Sequence, residues 1–404
     1  MHILFITDNF PPEVNAPATR TYEHCMEWKK AGHQVTVITC APNFPRGKVF
    51  DVYKNKMYQT AQFDGVKVIR VWSYIAANQG FIKRIIDFVS FAITSFFAGL
   101  FVGKVDVIIG TSPQFFTTLS AYGLSVVKRK PWVFELRDLW PESIRAVTKI
   151  TKSRTLDKFE QLELFLYKKA NMIVSVTDSF KKNLIGRGID GNKIAVVKNG
   201  ANLNLYQPLA KNTALRKDLK IDDKFVIGYV GTHGMAHKLD IFLDLAGEKS
   251  FDKKYHFLFM GAGAEKKKMI EITREKQLNN VTFLAPVEKK QIPSYLSAID
   301  AALVPLKKSD TFKTVIPSKI FESSSMRIPI LLGVEGESKE IVEKYKAGLT
   351  FEPENLEDFV KKIELLSSDD AVYKACQEGG SKLAKDFDRA KLADKMITYV
   401  ETLL

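Results

Sequence analysis

Two successive series of short, almost uninterrupted apolar runs constrain the fold of this chain more than any other feature. The first series consists of His2–Ile6, Gln34–Thr39, Val66–Val71, Val105–Gly110, Trp132–Leu136 and Met172–Thr177. The second consists of Phe225–Gly231, His256–Gly263, Val281–Pro286 and Ala301–Leu306. Runs of this length, separated by helix-length segments, are typical of parallel strands buried on both faces. The chain is therefore predicted to form two doubly wound α/β domains with Rossmann-like parallel sheets.

The boundaries of these domains follow from where the pattern restarts. The length of 404 residues is enough for two or three domains with ample cores. A polar, lysine-rich stretch before Phe225 predicts an N-terminal domain at 1–204 and a C-terminal domain at 205–385. The segment 386–404 is predicted to be a helix that returns to the first domain. The chain opens directly on a strand of a βαβ unit, so no signal peptide is expected.

Loops that follow strands are the candidate ligand site, because ligands bind at the carboxyl ends of strands in open α/β sheets. We expect the two domains to face each other across a cleft lined by these ends. After the first strand of the second domain, Gly231 and Gly234 allow the backbone to approach a ligand. In the same loop His233, His237 and Lys238 can donate to phosphate oxygens, although His237 and Lys238 fit equally well as solvated residues of a helix.

A second candidate lies between Thr311 and Leu332, where a helix start precedes an apolar strand. Pro and Ser at 317–318 predict the first turn, with the hydroxyl of Ser318 satisfying an amide. Lys319 then lies beside amides that attract an anion, and Glu322 lies one turn further on the surface. The pattern suits a nucleotide, with the diphosphate at Lys319 and the ribose hydroxyls at Glu322. The alternative is a capped surface helix with a solvated Lys and Glu.

Two further pairs follow strands. Arg137 and Asp138 come directly after Trp132–Leu136 and are expected to project from the carboxyl edge, the alternative being an ion pair that fixes a loop. Gly261 and Gly263 favour a tight strand-to-helix turn.

Six motifs, taken in order, resemble glycosyltransferase family 4. They are FPPEVNAPATR, ELRDLWPES, NGANLNLY, YVGTHGMAHKLD, FLFMGAG and IPSKIFESSSMRIPIL. The family consists of retaining enzymes of the GT-B fold that use nucleotide sugars, and the resemblance spans nearly the whole chain. Within this family, the sequence most resembles the bacterial L-fucosamine (N-acetyl-L-fucosamine) transferases of O-antigen and capsule assembly. The resemblance therefore implies a UDP-sugar donor.

Carried over to this sequence, the resemblance implies a role for individual residues. Glu322 binds the ribose hydroxyls, and Ser318 and Lys319 meet the diphosphate, as does the loop 231–238. The loop at Asn15 and Ala16 approaches the donor from the other domain, although many relatives have paired glycines there.

Two departures from the family pattern affect the sugar-binding side. The family signature has two glutamates, and the first falls at Thr314 in this chain. Many relatives also place a histidine of the first domain near the anomeric carbon, and the segments Thr111–Phe116 and ELRDLWPE contain none. Arg137 and Asp138 are the expected substitutes.

The expected chemistry is substitution at an anomeric carbon with retention. Cationic donors stabilise the departing UDP, a task that we assign to Lys319, Lys238 and one of His233 or His237. Without a closely spaced carboxylate pair, front-face displacement is favoured over a covalent intermediate. No metal and no cofactor are expected, because the sequence has no DxD motif after a strand, no HExxH and no Cys/His cluster. The three scattered cysteines fit a reducing compartment.

The net charge of +14 predicts a polyanionic partner. Nucleic acid is not expected, because basic and aromatic residues are not interleaved. The segment Gly80–Lys104 is rich in Phe and Ile, and its uncharged run Phe88–Gly103 is shorter than the ~20 residues of a spanning helix. It predicts one or two helices that lie partly in an anionic membrane surface, the alternative being two core helices. We therefore expect the acceptor to be a lipid-linked (undecaprenyl-diphosphate) N-acetylhexosamine. We also expect a cytoplasmic enzyme that is peripheral on the inner face of the cytoplasmic membrane.

Two other functions remain open at the level of sequence. A GT-B sugar-nucleotide epimerase has the same architecture but needs no acceptor. A non-catalytic module that binds a sugar nucleotide or a lipid would keep the phosphate loop without turnover.

Overall fold

The chain folds into two α/β units. A computed structural model describes residues 1–44, 47–75, 81–140, 142 and 154–404. Residues 1–198 with 389–404 form the first compact unit, and residues 199–388 form the second. The junctions thus lie a few residues from the predicted positions 204 and 385. Gly80, and Pro141 and Ser143 of the motif ELRDLWPES, lie outside the described residues.

The first unit contains an eight-stranded sheet. Its strands are β1 (His2–Ile6), β2 (Gln34–Cys40), β3 (Tyr58–Phe63), β4 (Val66–Val71), β5 (Val107–Thr111), β6 (Trp132–Leu136), β7 (Met172–Ser175) and β8 (Ile194–Val196). They are ordered β3-β4-β2-β1-β5-β6-β7-β8. All neighbours are parallel except β3, which pairs antiparallel with β4. Every residue of β5 and β6 is buried, which explains their continuous apolarity.

Within the described part of the first unit, five α-helices accompany this sheet before the chain enters the second unit. They are α1 (Ala16–Lys30), α2 (Phe81–Leu100), α3 (Phe115–Lys128), α4 (Arg154–Lys169) and α5 (Asp178–Gly186). Residues from α2, α3, α4 and α5 share one apolar core with the sheet.

The second unit contains a six-stranded, all-parallel sheet. Its strands are β9 (Phe225–Val230), β10 (Tyr255–Met260), β11 (Val281–Leu284), β12 (Ala301–Pro305), β13 (Ile330–Gly333) and β14 (Gly348–Thr350), ordered β11-β10-β9-β12-β13-β14. Its helices are α6 (Thr213–Asp218), α7 (Ile241–Ala246), α8 (Lys249–Lys254), α9 (Lys266–Glu275), α10 (Ile292–Leu296), α11 (Lys319–Ser325), α12 (Glu337–Tyr345), α13 (Leu356–Ser368) and α14 (Asp370–Asp386). Two apolar cores, one on each face, enclose the sheet.

The last helix, α15 (Arg389–Glu401), belongs to the first unit. The indole Nε1 of Trp28 on α1 donates to the carbonyl of Ala393 at 2.9 Å. The Arg389 guanidinium forms a buried ion pair with Glu23, also on α1, at 2.7 Å. The C-terminus is therefore anchored on α1.

The predicted membrane segment is a single helix, α2, with two different faces. Phe91 is buried, and Phe96 packs against the core of the first unit. Ile86, Ile93 and Phe97 are exposed on the other face. Across the described part of the chain, no helix combines the length and the apolarity that crossing a membrane requires.

Candidate functional site

The strongest candidate site of the second unit is built on α11. The apolar side chains of Ile320 and Phe321 are buried in the core and fix the orientation of the helix. Lys319 and Glu322 are half-buried and line the same small pocket. Its lining reaches Val230 of β9 and Val304 of β12, near the carboxyl ends of two central strands, and also includes Gly228 and Ala302 further back on these strands.

The start of α11 differs from the sequence expectation. The Ser318 side chain makes no capping hydrogen bond. The amides of Ile320, Phe321 and Glu322 already donate to the carbonyls of Pro317 or Ser318, at 3.0–3.2 Å. The expected cradle of free first-turn amides is therefore largely used within the turn, and Lys319 is the main positive group at this end of the helix.

The Lys319 ammonium is held by an aromatic ring. Its Nζ lies 4.8 Å from the centroid of Tyr229, and it forms no salt bridge with any residue that the structure describes. Burial lowers the pKa of Lys319, and the nearby Glu322 carboxylate partly offsets this shift. The site thus contains a partly desolvated cation that forms no salt bridge within the described residues and has the Glu322 carboxylate nearby.

The glycines of the site allow close backbone approach. A Cβ atom at Gly231 would lie 2.6 Å from Cε of Lys319, whereas one at Gly234 would meet nothing closer than 3.8 Å. A Cβ at Gly261 would collide with the carbonyl oxygen of Gly231, and one at Gly263 with that of His233. Gly261 and Gly263 therefore do more than form the predicted tight turn, because they let two strand-end loops touch.

The two histidines of this loop are neutral, which corrects the expectation of cationic donors. His233 is completely buried and touches the rings of Tyr229 and Phe259. Burial, and next the charge of Lys266, lowers the pKa of His233 to about 4. Burial and the charge of Lys319 lower the pKa of His237 to about 3.

Lys238 is engaged within its own loop. It adopts a left-handed backbone conformation, with φ of 48°. Its ammonium lies 3.3 Å from the Asp240 carboxylate, which also lies 3.6 Å from the ammonium of Lys268. Lys238 is therefore ion-paired within its own loop.

Thr314, at the position of the family's first glutamate, serves the local backbone. It ends the 3-10 helix Asp310–Thr314, and its hydroxyl donates to the carbonyl of Thr311 at 2.8 Å.

In the first unit, the sequence-predicted residues lie at the ends of strands and at a helix start. Asn15 is the N-cap of α1, and its Oδ1 accepts from the amide of Ala18 at 2.9 Å. Its Nδ2 donates to Asn9. Ala16, the first residue of the helix, is exposed.

Arg137 and Asp138 follow β6. The Arg137 guanidinium donates to the carbonyl of Pro17 at 3.2 Å, and the amide of Asp138 donates to Ser112 Oγ at 3.4 Å. Burial lowers the pKa of Arg137 to about 10, opposed first by the charge of Glu135. Arg137 therefore stays charged at neutral pH.

Sequence reasoning missed two residues. Tyr229 was treated only as part of an apolar strand, and no local pattern in the sequence signals its contact with Lys319. Asp8, just after β1, is near Arg137, and its pKa is raised by burial. Within the described ranges, no cluster of three or more His, Cys, Asp or Glu side chains has a metal-binding arrangement.

Comparison with known families identifies both units. Residues 17–205 match the family described as Glycosyltransferase Family 4, and residues 211–383 match Glycosyl transferases group 1. The chain is a glycosyltransferase built from these two domains. The expected enzyme class is therefore confirmed.

One relative in sequence supports this assignment, and two solved structures support the fold. WcaI of Escherichia coli K12, a glycosyl transferase named for colanic acid biosynthesis, is 25% identical over 330 residues, which cover 79% of this chain and 80% of WcaI. Sucrose-phosphate synthase of Thermosynechococcus elongatus matches with a TM-score of 0.78 at 15% identity, covering 100% of this chain and 98% of that one. Anabaena Alr3699/HepE in complex with UDP-glucose matches with a TM-score of 0.74 at 15% identity, covering 100% of both chains. The glycosyltransferase has the GT-B fold, as predicted.

Proposed function

We propose that this glycosyltransferase transfers a sugar from a UDP-sugar to a lipid-linked acceptor in bacterial surface polysaccharide biosynthesis. The observation that carries the proposal is the Lys319 ammonium, which is partly desolvated, has no salt bridge within the described residues and lies beside the Glu322 carboxylate. A cation and a carboxylate one helical turn apart match a diphosphate and a ribose. The UDP-glucose complex of HepE and the name of WcaI support the donor class and the pathway.

The finer assignments rest on the motif resemblance. We propose N-acetyl-L-fucosamine as the transferred sugar and undecaprenyl-diphosphate N-acetylhexosamine as the acceptor. In the first unit, Asn15, Ala16, Arg137 and Asp138 are proposed to contact substrate, because they lie at the carboxyl edge of the sheet or at the start of α1.

The proposed reaction proceeds with retention by front-face displacement. Negative charge develops on the diphosphate as the glycosidic bond breaks, and Lys319 stabilises it. The acceptor proton passes to the leaving phosphate. His233 and His237, being neutral, contribute hydrogen bonds rather than charge. Glu322 positions the nucleoside, and no step in this scheme requires a metal.

We further propose that α2 docks on an anionic membrane. Ile86, Ile93 and Phe97 form one exposed apolar face, continued by Phe101 just after the helix, which is 81% exposed. Exposed Lys83, Arg84 and Lys104 border this face. A helix with an apolar face and basic flanks suits the interface of a bilayer that contains anionic lipid. This placement favours a cytoplasmic enzyme that is peripheral on the inner membrane face.

The function is tested by incubating the enzyme with UDP-N-acetyl-L-fucosamine, with and without lipid-linked N-acetylhexosamine. We expect UDP release and a retained anomeric configuration only when the acceptor is present. Isomerised donor without acceptor would instead identify an epimerase. Donor binding without turnover in either condition would identify a binding module. Other UDP-sugars, compared in parallel, determine the sugar specificity.

A further inference from the structure

The cation of the candidate site owes its position to a neighbouring ring. Tyr229 is the penultimate residue of β9 and is completely buried. Its hydroxyl donates to the carbonyl of Thr232 at 2.7 Å, which ties the ring to the loop that follows the strand. The face of the ring lies 4.8 Å from Nζ of Lys319. This geometry lies within the range of a cation–π contact.

The surroundings leave the ring little freedom to move. The His233 and His237 rings each lie 5.6 Å from Tyr229, at steep angles to it. The missing side chain of Gly231 provides the space for Cε and Nζ of Lys319. The end of the Lys319 side chain is thus in contact with both Tyr229 and Gly231.

An aromatic partner has a specific advantage over a carboxylate at such a site. A carboxylate would stabilise Lys319 by accepting hydrogen bonds, and an incoming diphosphate would have to displace it. The ring stabilises the positive charge through its quadrupole but occupies none of the N–H donors. The ammonium therefore remains both positioned and available, which is the preorganisation that anion binding requires.

We propose that Tyr229 is a positioning residue for donor binding, whose ring holds the Lys319 ammonium at the place where the diphosphate of the nucleotide sugar binds. The proposal rests on the proposed function for the identity of the donor. It goes beyond that function by assigning to a buried strand residue a role that is distinct from packing.

Three replacements at Tyr229 separate the ring from its hydroxyl and its shape. Tyr229→Phe keeps the ring and loses the bond to Thr232. Tyr229→Leu removes the ring. Pentafluorophenylalanine, introduced at the same position, keeps the ring shape and reverses the sign of its quadrupole, so it tests the electrostatic role without creating a cavity. Thermal unfolding confirms which variants are folded.

Calorimetric titration with UDP and with uridine measures the consequence. We expect Tyr229→Phe to bind UDP with the same affinity as the parent protein. The pentafluorophenylalanine variant and Tyr229→Leu should bind UDP about tenfold more weakly, because they lose a desolvated cation–π contact. Uridine affinity should stay unchanged in all three. In a Lys319→Met background, the same changes at 229 should have no further effect on UDP.

The pH dependence adds a readout that packing alone would not change. UDP binding needs the charged form of Lys319, so affinity falls as pH rises through the pKa of this lysine. Without the ring the charged form is less stable and its pKa is lower. The fall in UDP affinity should therefore begin at a lower pH in the pentafluorophenylalanine variant and in Tyr229→Leu than in Tyr229→Phe and the parent protein.

A titration of the free protein tests the inference independently of the donor. The NMR resonance of the Lys319 Cε is assigned by its disappearance in Lys319→Met. This resonance should titrate at a lower pH in the pentafluorophenylalanine variant than in Tyr229→Phe. If the parent fails to bind UDP, the proposed donor is wrong, yet this titration still tests Tyr229. Equal Lys319 titration in both variants, or parallel losses of UDP and uridine, would overturn the positioning role and leave Tyr229 as a core residue.

Discussion

Glu322 is the residue on which the nucleotide assignment depends most directly. A charge-assisted hydrogen bond to a hydroxyl contributes roughly 1.5–3 kcal/mol, so Glu322→Gln should weaken UDP binding by about one to two decades and nearly abolish transfer. Calorimetry with UDP measures this loss. A 2′,3′-dideoxy analogue of UDP should bind parent and variant equally, because it lacks the hydroxyls.

Glu340→Gln is the matched control, since Glu340 is an exposed glutamate of α12 in the same unit. It should bind UDP like the parent. An unchanged UDP affinity in folded Glu322→Gln would remove Glu322 from the ribose site.

At the scale of residues, the sequence predicted which side chains lie near the candidate site better than it predicted their charge and their pairing. The proximity of Lys319 and Glu322 could be predicted because a helix start fixes their spacing, and both line one pocket. The charge of His233 was misjudged because its burial depends on neighbours such as Phe259 that are distant in sequence. The ion pair of Lys238 was not foreseen because the Asp240 carboxylate was not considered. Tyr229 was missed because its role needs a partner 90 positions away in the chain, a contact that no local pattern reports.

At the scale of elements, the loop after β9 provides a matched pair of glycines. Gly231→Ala places a Cβ 2.6 Å from Cε of Lys319 in a backbone conformation with φ of +146°, which side chains rarely adopt. Gly234→Ala meets only ordinary contacts. We expect Gly231→Ala to lower UDP affinity about tenfold or more, because the displaced ammonium loses a charge-assisted bond, and Gly234→Ala to bind UDP normally.

Thermal unfolding with and without UDP distinguishes the causes. Gly231→Ala should remain folded but lose most of the stabilisation that saturating UDP gives the parent. If both alanine variants bind UDP equally well, the close approach of this loop to Lys319 has no part in binding.

The elements themselves were largely readable from the sequence. Buried parallel strands such as β5 and β6 appear as continuous apolar runs, and their positions were predicted within a few residues. β3 was not predicted, because this edge strand has one neighbour and its exposed residues give no such run. α2 appeared as an apolar segment, but only the structure distinguishes buried Phe91 from exposed Phe97.

At the scale of the whole molecule, the proposed mechanism predicts activity without a divalent cation. Lys319 supplies the positive charge at the diphosphate, so excess EDTA should leave the rate of transfer unchanged. Magnesium often binds through substrate phosphates and only one or two carboxylates, so the assay must include the complete donor. A rate that collapses with chelator and returns with magnesium would show that a metal assists the departure of UDP.

The net charge of +14 and the exposed face of α2 together predict salt-sensitive binding to membranes. Each basic residue near an anionic surface contributes about 1 kcal/mol, and burial of a phenylalanine side chain adds roughly 1.5–3 kcal/mol. The double variant Phe97→Ser, Phe101→Ser should therefore bind vesicles of phosphatidylglycerol and phosphatidylethanolamine at least about tenfold more weakly. Phe96 is left intact because it packs against the core.

Leu365→Ser is the control, because Leu365 is a similarly exposed apolar residue on α13 of the second unit. It should cosediment with vesicles like the parent, and both proteins should be released as salt rises. The double variant should keep its UDP affinity and its transfer to a soluble acceptor analogue, while transfer to a lipid-linked acceptor in vesicles falls. Cosedimentation of the folded double variant equal to that of the parent at low salt would show that α2 does not contact the bilayer, and the exposed phenylalanines would then require another partner.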